Sequence, residues 1–113
     1  MKRFDIWKAD LPTIENSHVQ RGFRPVVIVS NDLANAYSPV ITVIPLTSRK
    51  EKKPLRTHVH LLTEGLTVES LALCEQILTI DKSRLRRYVG SVTDTSDRAA
   101  INRAMSVQLG MAA

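Results

Sequence analysis

The chain has 113 residues, of which 43% are apolar and 24% charged. This length excludes a multidomain machine and this composition excludes wholesale disorder, so we expect one domain over residues 1–113. Sixteen Lys and Arg against eleven Asp and Glu give a formal net charge of +5. This charge favours a polyanionic partner, or the surplus basic residues simply form a solvated surface.

Short β-rich segments dominate the first half of the chain. Residues 4–8 alternate apolar and polar side chains, which predicts a strand. The β-branched run from Val26 to Val29 predicts a strand buried on both faces, closed by Asn31-Asp32. Residues 40–44 predict a third strand, and we expect Pro45 to place its end at a sheet edge or a bulge.

The second half carries further strands and one long helix. Strands are expected over residues 57–62, 71–80 and 88–92, with one helical turn over 81–87 that Asp81 caps. Apolar residues at helical spacing predict a helix from Ser96 to Leu109. Its expected ends are Asp94 or Thr95 as N-cap and Gly110 after the last turn.

These elements predict a mainly β (α+β) fold. Many strands with short connections, no βαβ alternation and one terminal helix indicate a small, strongly bent antiparallel barrel-like sheet with the helix packed against it. Because a core of this size is modest, we also expect the chain to form an oligomer.

The single cysteine, Cys74, excludes an intrachain disulfide and a zinc site built from several thiolates of one subunit. The basic N-terminus runs into charged residues where a signal peptide needs an apolar stretch, and the apolar runs are far shorter than the roughly 20 residues that span a bilayer. We expect a soluble, cytoplasmic protein with no membrane partner.

No cofactor or metal site is expected. Of the three histidines, His58 and His60 would share one face of a strand, but no carboxylates stand at a recognisable ligand spacing, and a polar strand face explains the pair equally well. The four glycines are scattered, so there is no phosphate-binding glycine loop.

Three polar groups stand against this apolar background. His18, Arg21 and Arg24 crowd a loop that enters a buried strand, and Pro25 restricts Arg24 to an extended backbone. Arg24 is thus either a functional cation on a fixed stem or an ordinary surface arginine that covers a sheet edge.

Glu75 and Gln76 interrupt an almost wholly apolar run, where a carboxylate is costly unless it is paired or open to a cleft. A salt bridge to Arg24 would satisfy Glu75, either structurally or as part of a site. Thr47 and Ser48 end a strand and lead into a basic loop through Lys53, which a solvated hairpin would also explain.

Several of these motifs, in this order and spacing, resemble the MazF/PemK (Kid) family of toxin endoribonucleases. The resemblance covers nearly the whole chain and rests on residues 5–7, 10–12, 24–32, 45–48, 57–59, 74–76 and 79–85. It implies a homodimeric SH3-like β-barrel that cleaves single-stranded RNA, typically mRNA at short motifs, without a metal, and that has a cognate antitoxin. The implied chemistry is attack of the ribose 2′-hydroxyl on its own phosphate, which leaves a 2′,3′-cyclic phosphate and a 5′-hydroxyl.

The resemblance also implies residue roles. Arg24 and Thr47 match the catalytic arginine and threonine, and Glu75 and His18 match an acidic base and an active-site histidine of another branch. The residues expected to contact RNA are Arg21, Ser48, Arg49, Lys50 and Gln76.

Two positions depart from the family pattern, since Leu73 and Leu78 stand where members carry arginines. A phosphate or antitoxin contact at Leu78 is therefore in question, and Arg24 would act without the first of these arginines. Two rival functions share this fold or ancestry. One is a DNA-gyrase poison of the CcdB type, but its Trp-Gly-Ile tail is absent here, and the other is a non-catalytic RNA-binding regulator.

Overall fold

The computed structural model describes residues 1–49 and 55–112. These contain seven strands, two α-helices and one 3-10 turn. The strands are β1 (Asp5–Leu11), β2 (Gly22–Ile28), β3 (Val40–Thr47), β4 (His58–Leu61), β5 (Ser70–Leu73), β6 (Leu78–Asp81) and β7 (Leu85–Ser91). The helices are α1 (Asp32–Tyr37) and α2 (Thr95–Gln108), and the 3-10 turn is Lys82–Arg84.

All strand pairings are antiparallel, in the order β4-β5-β3-β2-β1-β7, with β6 paired to β3. This confirms the mainly β fold with a C-terminal helix, but among the described residues no pairing joins β4 to β7, so the sheet is open and not a closed barrel. The turn after β4 nevertheless packs on β7. A Cβ at Gly65 would lie 2.1 Å from Val89 O, and one at Gly90 would lie 2.4 Å from Glu64 O.

β3 is the centre of the sheet, so the expected edge position of Pro45 is wrong. One side of β3 pairs with β2, where Val26 opposes Pro45. The other side pairs with β6 over Val40–Val43 and with β5 over Leu46 and Thr47. Pro45 lies at this change of partner, where a missing N–H donor costs the sheet no ladder bond.

The sheet buries apolar side chains on both faces, as the continuous run in β2 predicts. Val27 belongs to a main cluster with Ile44, Leu46, Val92 and Ile101, which α2 covers. Val26 and Ile28 belong to a second cluster on the opposite face, which Trp7 and Leu78 border. Alternate residues of one strand therefore contribute to two cores.

The strand predicted over 71–80 is two strands. β5 ends at Leu73, and a turn over residues 74–77 leads into β6. In this turn Gln76 N donates to Leu73 O at 2.9 Å. Apolar composition alone did not predict this break.

Three local predictions have mixed outcomes. The α2 helix is confirmed, and the Asp94 side chain caps it by accepting from Ser96 N and Asp97 N. Asp81 does precede a 3-10 turn, but its side chain makes no capping bond. Helix α1 was not predicted. Asn31, which we expected only to close a strand, caps this helix by accepting a hydrogen bond from Ala34 N at 2.8 Å. Of the described helices, none has the length and apolar character that a membrane crossing requires.

Candidate active site

Arg24 and Thr47 come from neighbouring strands and lie across from each other. β2 and β3 pair Val26 with Pro45 and Val27 with Ile44. Arg24 and Thr47 each lie two residues beyond the first of these pairs, on the same face of the sheet, and both line one cleft. Two residues 23 positions apart in the sequence are thus neighbours because of strand pairing.

The Arg24 side chain is held by two acceptors from the preceding loop. Its Nε donates to Arg21 O at 2.9 Å, and its Nη1 donates to Gln20 Oε1. Partial burial lowers the pKa of the Arg24 guanidinium from its ordinary value, but a guanidinium remains charged at neutral pH. Arg24 is therefore an oriented cation with its Nη2 end free of these two bonds.

Arg24 and Thr47 face an open cleft of about 460 Å³. Its walls also include Gln20, Ser48 and Arg49, and the latter two side chains are exposed. Thr47 Oγ1 accepts a hydrogen bond from Arg49 N at 3.2 Å, which leaves its hydroxyl hydrogen available to another acceptor. The cleft joins a fixed cation, two hydroxyls and a second, exposed cation, which is a set of groups that suits a phosphate.

Gln76 is linked to this cleft by a hydrogen bond from Gln20. The backbone N–H of Gln20 donates to Gln76 Oε1 at 2.8 Å, while the Gln20 side chain accepts from Arg24. Gln20 thus connects the turn after β5 to the arginine. The sequence offered no signal for Gln20 other than its place in the loop before Arg24.

Glu75 is paired with His58, so the expected salt bridge between Glu75 and Arg24 is wrong. His58 Nε2 lies 2.9 Å from Glu75 Oε2, with the His58 side chain 4% exposed. Leu55 N donates to His58 Nδ1 at 3.3 Å, so the ring proton is on Nε2 and is donated to the carboxylate. Glu75 Oε1 is buried and has no hydrogen-bond partner among the described residues.

His18 makes no hydrogen bond or ion pair with these groups among the described residues. It is exposed in the connection between β1 and β2, and within residues 1–49 and 55–112 no hydrogen bond or ion pair links it to the cleft. The histidine beside the carboxylate is His58, which sequence reasoning paired with His60 instead. His60 lies 3.4 Å from Glu69 on the exposed surface, so the two histidines face different carboxylates.

The remaining predicted RNA contacts have different surroundings. Arg21 is exposed and contributes its carbonyl oxygen to Arg24. Lys50 lies outside the described residues, as does most of the basic loop that begins at Arg49.

Of the two leucines at family arginine positions, one is buried and the other packs at the border of the second apolar cluster. Leu73 is only 3% exposed at the end of β5. Leu78 is half-buried and packs against the second apolar cluster. An arginine at position 73 would bury its charge in this fold, because Leu73 has almost no access to solvent.

Comparisons with known proteins agree with this architecture. Residues 2–109 match the family described as PemK-like, MazF-like toxin of type II toxin-antitoxin system. A protein of Staphylococcus saprophyticus subsp. saprophyticus named Endoribonuclease MazF is 38% identical over 113 residues, covering 98% of this chain and 92% of that protein.

Solved structures share the fold. A mycobacterial endoribonuclease in complex with its cognate antitoxin matches with a TM-score of 0.79 and 26% identity, over 98% of this chain and 96% of that chain. MazF from Deinococcus radiodurans matches with a TM-score of 0.79 over 97% of this chain and 96% of that chain, and at 22% identity it supports the fold alone.

Proposed function

We propose a mechanism from the premise that the chain belongs to the PemK-like, MazF-like toxin family of type II toxin–antitoxin systems. The protein is a toxin endoribonuclease that cuts single-stranded RNA, typically mRNA, sequence-selectively and without a metal ion. The whole chain, residues 1–113, acts as one domain. The observation that carries the proposal is that Arg24 and Thr47 line one cleft open to solvent.

The reaction is an internal transfer. The 2′-oxygen of one ribose forms a bond to its own 3′-phosphorus, and the bond from phosphorus to the 5′-oxygen of the next nucleotide breaks. The 2′-hydroxyl gives up a proton and the leaving 5′-oxygen takes one, so the products are a 2′,3′-cyclic phosphate and a 5′-hydroxyl. A base, an acid and a group that stabilises negative charge on phosphorus are sufficient.

Arg24 stabilises the charge that develops on the phosphate oxygens. Its two loop acceptors fix the guanidinium before substrate arrives, so little reorganisation is needed in the transition state. Thr47 orients the reacting ribose or phosphate through its hydroxyl hydrogen, which is available because Thr47 Oγ1 only accepts a hydrogen bond from Arg49 N.

Glu75 is the proposed acceptor of the 2′-hydroxyl proton. His58 holds the carboxylate through Oε2, so the acceptor is Oε1, which has no partner among the described residues and must become accessible when RNA binds. Glu75 does not line the Arg24 cleft, and it is connected to it through Gln76 and Gln20. We therefore propose that bound RNA spans from the cleft to the turn after β5. His18, an exposed imidazole, is the proposed proton donor to the 5′-oxygen.

The RNA strand is held around this centre by Ser48 and Arg49 at the rim of the cleft, by Arg21 and Gln76 beside it, and by Lys50. Their hydroxyl, amide and cationic groups suit a phosphodiester backbone and base edges.

Partners follow from the same surface. We propose that the protein is a homodimer in the cytoplasm, as a single buried thiol and a modest core favour. We also propose that a cognate antitoxin covers the cleft with a disordered acidic and apolar segment. Competition between an antitoxin peptide and uncleavable RNA tests the shared cleft, and simultaneous binding of both would refute it.

Incubation of the purified protein with mixed-sequence single-stranded RNA in excess EDTA tests the function. We expect cuts at a recurring short motif that leave 5′-hydroxyl and cyclic phosphate ends. Cleavage only on addition of a divalent cation, or 5′-phosphate ends, would contradict the mechanism. RNA that is bound but left intact would indicate the non-catalytic regulator instead.

A further inference from the structure

A second cavity, of about 220 Å³, lies beside the Arg24 cleft and has no role in the mechanism above. Its floor is a row of three residues on adjacent strands, since Lys8 of β1 pairs with Pro25 of β2 on one side and with Arg87 of β7 on the other. The segment from Gly65 to Val68 closes it.

This cavity borders the main apolar cluster, on the same face of the sheet. Lys8 is two residues from Ile6 on β1, so both occupy one face of the sheet, and Ile6 belongs to the main apolar cluster. Leu46, of the same cluster, also lines the cavity. The chain thus builds an apolar chamber whose floor carries two cationic side chains.

The lining suits one nucleotide. Lys8 and Arg87 supply two positive charges, and no carboxylate lines the cavity in the part of the chain that the structure describes. Ser48 and Ser70 supply hydroxyl groups next to apolar walls. The volume is below the roughly 300 to 1,000 Å³ of a pocket for a drug-sized ligand, so it fits one small planar group rather than a peptide segment.

An aromatic ring stands beside the same cations. Phe23 is 59% exposed, and Lys8 Nζ lies 5.6 Å from its ring centre. Exposed aromatic rings next to basic groups are the usual stacking surfaces for unpaired bases.

The cavity and the Arg24 cleft share three wall residues, Pro25, Leu46 and Ser48. A nucleotide next to a scissile phosphate at Arg24 can therefore reach the second cavity. We propose that this cavity is a subsite for a nucleotide that flanks the cut, with its base in the apolar chamber and its phosphate on Lys8 and Arg87. The proposal rests on RNA being the substrate.

Binding of an RNA that cannot be cleaved tests the subsite. Fluorescence anisotropy would follow a single-stranded oligonucleotide of one fixed sequence that wild type binds, with 2′-O-methyl groups throughout so that it cannot react, for wild type, Lys8→Ala, Arg87→Ala and Arg86→Ala. Arg86 is the matched control, because it is an exposed neighbour on β7 that does not line the cavity. We expect Lys8→Ala and Arg87→Ala each to weaken binding about tenfold and to reduce the salt slope by about 0.7, with Arg86→Ala close to wild type.

An abasic scan of the same oligonucleotide locates the base. We expect one flanking position whose abasic form binds wild type weakly, while Val68→Trp, a bulkier side chain on the segment that closes the cavity, binds both forms equally weakly. Equal effects of Arg86→Ala and Arg87→Ala, or no sensitive position, would overturn the subsite. If Arg87→Ala weakens an acidic antitoxin peptide but not RNA, the occupant is the antitoxin and the proposal is wrong. Wild type that binds this RNA but cuts no RNA would contradict the proposed function and not the subsite.

Discussion

His58 Nε2 lies 2.9 Å from Glu75 Oε2 and joins strand β4 to the turn that separates β5 from β6. The Leu55 N–H occupies the other ring nitrogen, so the imidazole donates to the carboxylate. The pair fixes the orientation of the only carboxylate in the 71–80 segment. It also explains how a Glu is accommodated in such an apolar stretch, since a partly buried carboxylate needs a hydrogen-bond donor.

Glu75→Gln keeps the shape of this pair and removes the proton acceptor. We expect the cleavage rate to fall by about 10²- to 10⁴-fold, the usual contribution of a positioned general base. The matched control is Glu69→Gln, which changes the exposed partner of His60. The measurement is the single-turnover cleavage rate of each variant. An equal loss of rate in both variants, or no loss in either, would remove Glu75 from the mechanism.

Gln20→Ala tests whether the loop orients Arg24. It removes the acceptor of Arg24 Nη1 without removing the guanidinium itself. We expect kcat to fall by about tenfold or more because the cation loses its alignment, with a smaller change in KM. Gln108→Ala, at the exposed end of α2, should match wild type. An unchanged kcat in Gln20→Ala would show that Arg24 needs no positioning from this loop.

Gly90→Ala tests the packing of the turn after β4 on β7. The added Cβ would lie 2.4 Å from Glu64 O, a backbone atom that cannot move without shifting the turn. We expect a loss of about 2 kcal/mol or more in the free energy of unfolding, measured by urea denaturation. Arg86→Ala on the same strand, with an exposed side chain, should change it by no more than about 0.5 kcal/mol. Similar values for the two variants would contradict the close contact.

Cys74 should be unreactive in the folded protein. Burial, reinforced by the charge of Glu75, raises the pKa of its thiol to about 12. At pH 8 the thiolate fraction is then about 10⁻⁴, and we expect iodoacetamide to modify the thiol only after unfolding. Mass spectrometry would measure the rate of labelling. Fast labelling of the native protein would contradict the burial of Cys74.

The same shift gives the sign of a pH effect on stability. The thiol loses its proton near pH 9 when unfolded and near pH 12 when folded, so its contribution to stability is complete below pH 9 and is lost as pH rises through about 12. Cys74→Ala should remove this part of the alkaline loss of stability.

Much of the fold follows from local pattern, and most of the errors concern pairing. The β-branched runs and the capped C-terminal helix were predictable because periodicity and end signals act within a few residues. The position of Pro45 inside the sheet and the break between β5 and β6 depend on which strands become neighbours, which no local pattern specifies. Local pattern also does not specify that β4 and β7, the two end strands of the sheet, are left unpaired with each other among the described residues.

The candidate site divides in the same way. Arg24 and Thr47 were identified from sequence motifs, and the β2–β3 register places them together. The predicted partner of Glu75 is wrong, because local pattern relates His58 only to His60, its neighbour on the strand, and not to the distant Glu75. No local pattern marks Gln20, because its role depends on one contact with the distant Gln76 and one with the nearby Arg24.

The most direct test of the central claim is single-turnover cleavage of single-stranded RNA in excess EDTA by wild type and by Arg24→Ala. Circular dichroism and thermal unfolding must first show that the variant is folded. We predict 5′-hydroxyl products from wild type and a rate at least about 10²- to 10³-fold lower for Arg24→Ala, the cost of removing one group that stabilises transition-state charge. A folded Arg24→Ala protein that cleaves at the wild-type rate would contradict the account.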